Sequence, residues 1–219
     1  MKTIFLWSAV LTFSMGFTQT LFYNPTTEGR MIYTKSDGKK FEGSPYFEEV
    51  FRPVRFDNGS VRQLRYNAYT DALEYTSEDN ATMMLLPTKD SIIRTADNRH
   101  RYVFTSYMFE NKPKEGYLLH LGNFNNVTLY ARHSVTLTPE SPPSNGYSTY
   151  RPAAYKKMPV QYMVKVGNNT IVPFSTKKKE LAKLYPDKES QISDYLKKNK
   201  VDAENEAQMI EFARFLGTL

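Results

Sequence analysis

There is no cysteine in these 219 residues. A chain without cysteine cannot rest on disulfides, cannot build a thiolate metal site and offers no thiol nucleophile. It also cannot carry the lipidated N-terminal Cys of a bacterial lipoprotein. Histidine is scarce too. His100, His120 and His133 show neither the i, i+4 nor the short-hairpin spacing of a zinc site, so no metal is read from the sequence. No Gly-x-Ser-x-Gly elbow occurs, so no catalytic serine announces itself. The one tryptophan is Trp7, within the first twenty residues. Beyond that opening stretch no apolar run approaches the ~20 residues that span a bilayer.

What is present starts with a leader. Lys2 supplies a positive start, Ile4 to Phe13 form a short apolar run, and Gly16-Phe17-Thr18-Gln19 a small and polar exit. Residues 1–19 read as a secretory signal peptide, too short and wrongly flanked for a span. The mature chain is then expected to begin at Gln19 or Thr20 and to work outside the cytoplasm, in the periplasm by default, with extracellular release as the alternative.

Sixteen Tyr and fourteen Phe give the chain an aromatic bias. The formal net charge is +6, and eight Lys lie between Lys177 and Lys200 against four acids. Export argues against nucleic acid as the partner. The Lys-rich stretch reads as a solvated helical face, with an anionic envelope surface or an acidic protein patch as the functional alternative.

From Gly29 to Phe174 the apolar pattern has period two, which reads as β structure. Asp37-Gly38, Asn58-Gly59 and Gly167-Asn168 are hairpin-type dipeptides. The clearest strand is 127–137, with Val127, Leu129, Ala131, His133, Val135 and Leu137 on one face. Val160, Tyr162, Val164 and Val166 mark a second. Weaker strands are expected over 61–69, 72–76, 82–86, 91–94, 101–108 and 116–121. Residues 139–159 contain five prolines among Tyr147, Tyr150 and Tyr155, and read as a long loop. After Phe174 the period becomes helical, with apolar stripes through Leu181, Leu184, Ile192, Leu196, Ile210 and Phe212 and with Asp187 and Asp202 as expected N-caps. The expected fold is α+β. A mostly antiparallel β domain over 20–175, a sandwich or partly open barrel, is followed by a helical appendage over 176–219.

Gly43-Ser44-Pro45-Tyr46-Phe47 and Leu64-Arg65-Tyr66-Asn67-Ala68-Tyr69, with Asp71 and Glu74 following, carry a resemblance. With the Lys-rich tail from Lys177 to Lys200, they make the chain similar to a group of exported Bacteroidota proteins. Those proteins share a GSPYL segment and an LRYNxYxDxxE hairpin. Phe47 stands where that group has Leu. The resemblance covers most of the mature chain. It implies a Gram-negative envelope and carries over no activity and no site residue.

The densest mixture of binding-type residues is the Arg65–Tyr75 hairpin. Tyr and Arg dominate binding hot spots, and Tyr with Asn can hold a sugar. Arg65, Tyr66, Asn67, Tyr69 and Asp71, with Tyr147 and Tyr150 of the long loop, form the expected binding surface. The competing reading is that these residues decorate a sheet and satisfy one another. No catalytic residue, metal or cofactor is assigned. The expected function is a non-enzymatic interaction or accessory protein of the cell envelope, its partner a protein or glycan. The alternatives are a ligand- or glycan-binding β domain and a hydrolase without a readable motif.

Overall fold

The structure is a computed structural model that describes residues 29–31, 41–56, 59–77, 81–143 and 149–219. Residues 1–19, read above as a leader, the Asp37-Gly38 dipeptide, Asn58 and Tyr147 lie outside the described residues. The fold is α+β, mostly antiparallel sheet followed by three short helices.

The first sheet holds β1 (Gly29–Met31), β2 (Arg52–Arg55), β3 (Val61–Asn67), β4 (Ala72–Thr76) and β5 (Thr82–Leu85), in the order β1-β5-β4-β3-β2. The second starts with β6 (Ile92–Arg94), β7 (Arg101–Phe109), β8 (Lys112–Phe124) and β9 (Val127–Arg132). The chain then leaves it to form a two-stranded ribbon of β10 (Val135–Thr138) and β11 (Ala154–Lys157). It returns as β12 (Gln161–Val166) and β13 (Val172–Pro173), giving the order β13-β12-β9-β8-β7-β6.

The second sheet curls onto itself. Met108 N donates to Ile171 O at 2.8 Å, so the β13 end comes back to β7. The result is a small, partly open barrel filled by Val103, Tyr107, Leu118, Tyr130, Met163 and Ile171. Its outer wall carries Leu119, Val127, Leu129, Ala131, Tyr162 and Val164, and the helices cover it. With both faces covered, consecutive residues such as Leu118-Leu119 and Tyr162-Met163-Val164 are all buried. The first sheet joins the second at one edge, where Val54 bridges Thr95 and Ala96 N donates to Pro53 O at 2.7 Å.

Two strand expectations change. Residues 127–137 are not one strand: the ladder stops at Arg132, and β10 turns away to pair with β11. The alternation survives the break because His133 and Val135 are still buried, in a different neighbourhood. The 139–159 stretch is not all loop. Between Pro152 and Pro159 lies a proline-free run, Ala153 to Met158, whose backbone donors are intact and pair with β10. One tight turn carried no glycine signal. The β7–β8 hairpin turns through Glu110 (φ 50°) and Asn111 (φ 60°), both left-handed, as a two-residue hairpin loop requires.

The tail folds as α1 (Lys178–Leu184), a 3-10 turn at Pro186–Lys188, α2 (Glu189–Asn199) and α3 (Glu206–Leu216). Leu181, Ile192 and Phe212 are fully buried, while Leu184, Leu196 and Ile210 sit half-buried at the rim. Phe212 stacks between Phe174 at 5.3 Å and Tyr195 at 5.6 Å. The caps differ from expectation. Asp187 lies inside the 3-10 turn, and α2 starts after Lys188 with no side-chain cap. Asp202 closes a local turn by accepting from Glu204 N at 2.9 Å, so Asn205 caps α3 instead, accepting from Gln208 N at 3.1 Å. Among the described residues no helix is long and apolar enough to cross a membrane.

Candidate recognition surface

The β3–β4 hairpin is built from its own polar side chains. Asn67 Oδ1 accepts from the backbone N–H groups of Tyr69 and Thr70, both at 3.1 Å, an Asx turn that fixes the chain reversal. The same amide donates through Nδ2 to Glu74 Oε1 at 2.8 Å, and Tyr46 OH donates to Glu74 Oε2 at 2.9 Å. Asn67 and Glu74 are buried, so these bonds offset a desolvation that would otherwise cost stability. Burial first, then the Glu74 charge, pushes the Tyr46 hydroxyl up to about 12. Arg65 lies across the strand pair from Glu74, its guanidinium 3.4 Å from the centroid of the Tyr46 ring and 4.3 Å from that of Phe51.

Asp71 ties the hairpin tip to the barrel. Its backbone is left-handed (φ 54°), a conformation Asp tolerates. Its Oδ1 accepts from Tyr66 OH at 2.6 Å and from Tyr117 N at 3.2 Å. The carboxylate fits because Gly116 of β8 has no Cβ; a methyl there would overlap Oδ2. Burial raises the Asp71 pKa, opposed by the Tyr66 and Tyr117 hydrogen bonds and by the charge of Arg132. Arg132 itself donates to Tyr107 OH at 3.1 Å and to Gln161 Oε1 at 2.6 Å. Tyr66 stacks on Tyr102 at 5.3 Å, and its hydroxyl is pushed well above its ordinary range by burial and by Asp71.

Of the expected surface residues, Tyr66 and Asn67 are therefore buried, and Asp71 and Arg65 are only partly exposed and engaged. Tyr69 remains open at 45% exposure and Tyr150 at 54%. Tyr69 projects from the tip so firmly set beneath it, and meets Tyr155 of β11 edge-on at 5.2 Å. Phe41, itself exposed, also meets Tyr155, with ring centroids 5.5 Å apart. Backbone bonds hold the three segments together: Val135 N to Ala68 O at 3.1 Å and Tyr155 N to Glu42 O at 2.8 Å. The hairpin and the 139–159 segment thus do converge, through Tyr155 rather than Tyr150, whose hydroxyl donates to Glu140 at 2.9 Å. Sequence reasoning missed Phe41 and left Tyr155 out of the surface. The available signal was the proline-free run around Tyr155.

Beneath this surface Phe47 stacks flat on His133 at 3.7 Å. His133 is buried, and burial holds its pKa down at about 4. Lys157 donates to Phe47 O at 2.6 Å on the same side. No group of three or more His, Asp or Glu is placed to hold a metal among the described residues. Compared with known proteins, the chain matches no family model, no curated protein and no solved structure.

Proposed function

We propose that the protein is an exported, non-enzymatic interaction subunit of a Gram-negative cell envelope. In this reading it engages an envelope protein or glycan through the Phe41–Tyr155–Tyr69 aromatic strip. The observation that carries the proposal is the contrast within one hairpin. Arg65, Tyr66, Asn67 and Asp71 are spent holding the tip rigid, while the tip itself presents an uncovered aromatic. A rigid aromatic anchor loses little side-chain entropy on binding, the property that makes Tyr a common hot-spot residue. The leader at residues 1–19 supports export, and the Bacteroidota-like motifs support the compartment.

Co-purification from envelope extracts of a Bacteroidota host tests the proposal. Tyr69→Ala should lose a partner that Tyr69→Phe keeps, with both variants melting as the parent does. Retention of every partner by Tyr69→Ala, with Phe41→Ala added, would overturn it.

A further inference from the structure

The geometry points to a second binding site elsewhere on the molecule, a groove for a single-chain amphiphile with an anionic head, in chemical terms a free fatty acid. The groove has a volume of about 430 Å3 and opens between β2, the end of β5 and β6. That size lies in the range of small-molecule sites, roughly 300–1,000 Å3. It exists because β2 and β6 are bridged at Val54–Thr95 and diverge from there, while β5 stops at Leu85 ahead of Pro87.

Six of its nine described lining residues are apolar, and Arg55, Thr88 and Ser91 make up the rest. Val54 and Phe56 come from β2 and its end, Leu85 and Leu86 from the end of β5, and Ile92 and Ile93 from β6. Leu86 is 37% exposed and Ile92 47%, so two large aliphatic side chains are left open to water on the same groove. An acyl chain lying between them would complete the burial that folding leaves unfinished.

The charge is one-sided. Among the described residues, Arg55 is the one formally charged residue that lines the groove, and it forms no ion pair there. Among the described residues no carboxylate lines the groove. Thr88 and Ser91 add hydroxyls at the rim; Ser91 Oγ donates to Thr88 O at 2.7 Å, which leaves its lone pairs free to accept. A carboxylate can take two parallel N–H bonds from a guanidinium, a geometry that a single cationic or neutral head cannot use. Aliphatic side chains grouped with one guanidinium favour a long chain with a negative head. A groove of this size suits one chain of moderate length rather than a two-chain lipid.

Isothermal titration of residues 20–219 with dodecanoate, below its micelle concentration, tests this. The expected result is saturable one-to-one binding. Dodecyltrimethylammonium should bind about tenfold weaker or less, and Arg55→Glu should weaken dodecanoate by about tenfold or more, since a lost charge-assisted pair is worth at least one decade. Ile92→Glu should abolish binding; Leu86→Gln, at an exposed position, gives the same readout if Ile92→Glu fails to fold. Tyr69→Ala should bind dodecanoate unchanged, which separates this site from the aromatic strip. Three results would overturn the proposal. One is equal affinity for the cationic detergent. Another is binding that appears only after residues 20–28 are removed, which would make the chain's own segment before β1 the occupant. The third is binding to anionic phospholipid vesicles with none to free dodecanoate.

Discussion

The outer wall of the barrel and the hairpin of the first sheet are both buried, yet they are built from opposite chemistry. On the wall, Val127, Leu129, Val164, Leu181, Ile192, Met209, Phe212 and Leu216 meet beside Tyr162 and Tyr185, with no buried carboxylate or cation in that cluster. In the hairpin, Asn67 and Glu74 are buried beside Tyr66, and Asp71 reaches across to β8. The wall needs only shape and apolar area, so any well-packed set would serve. The hairpin needs partners with defined directions, because each buried donor or acceptor left unpaired costs about 1–3 kcal/mol. That demand makes the polar region the one with a single geometry, and it lets the hairpin hold Tyr69 in place above.

The largest expected effect tests the apolar side. Phe212→Ala should cost about 3–5 kcal/mol in urea unfolding, since Phe212 is fully buried between two rings. Leu196→Asp, at the half-buried rim, should cost about 2 kcal/mol. A loss under about 1 kcal/mol for Phe212→Ala would mean that the helices are not part of the barrel's core.

Next comes acid. His133 is held near 4 in the folded protein against 6.5 for an ordinary imidazole. Its folded value is the lower one, so the unfolded chain binds the extra proton first. Stability is therefore full above pH 6.5 and falls as the pH drops towards 4, by about 3 kcal/mol. His133→Phe, which keeps the stack on Phe47, should flatten that slope in a urea series between pH 7 and 4.

The clamp gives a smaller effect. Asp71→Ala should cost about 1–3 kcal/mol by removing the acceptor of the Tyr66 hydroxyl, while Asp71→Asn, which keeps an acceptor and tolerates positive φ, should cost less than about 1 kcal/mol. The sense with pH opposes that of His133. With its folded pKa raised, Asp71 contributes stability that is fully present below 3.8 and is lost as the pH rises through its folded value. Asn should therefore compare best with Asp at neutral pH. Equal losses for Ala and Asn would show that the carboxylate matters for something other than accepting hydrogen bonds.

The smallest effect is on Tyr69. Tyr69→Ala should change stability by no more than about 0.5 kcal/mol, since the ring is largely exposed. A larger loss would place Tyr69 with the supporting residues rather than with the surface they support.

Periodicity alone determined a good deal of this molecule. The change from period two to a helical period after Phe174 marks where sheet ends and helix begins, and Leu181, Ile192 and Phe212 face inward as their spacing requires. Burial of alternate residues is a local rule, so it can be read along the chain. His133 was legible as a buried imidazole for the same reason. What only the tertiary structure decided is where the polar residues of the hairpin point. Arg65, Tyr66, Asn67 and Asp71 have the composition of a binding surface, and nothing local says that Gly116 and the Tyr117 N–H, 46 residues from Asp71 along the chain, wait to receive a carboxylate. The turn of the chain at His133 likewise depends on β11, and the caps of α2 and α3 on turns that form ahead of the helices. Apolar side chains need only a side to face, which the sequence carries in its spacing; polar ones need a partner, and partners are brought together by folding.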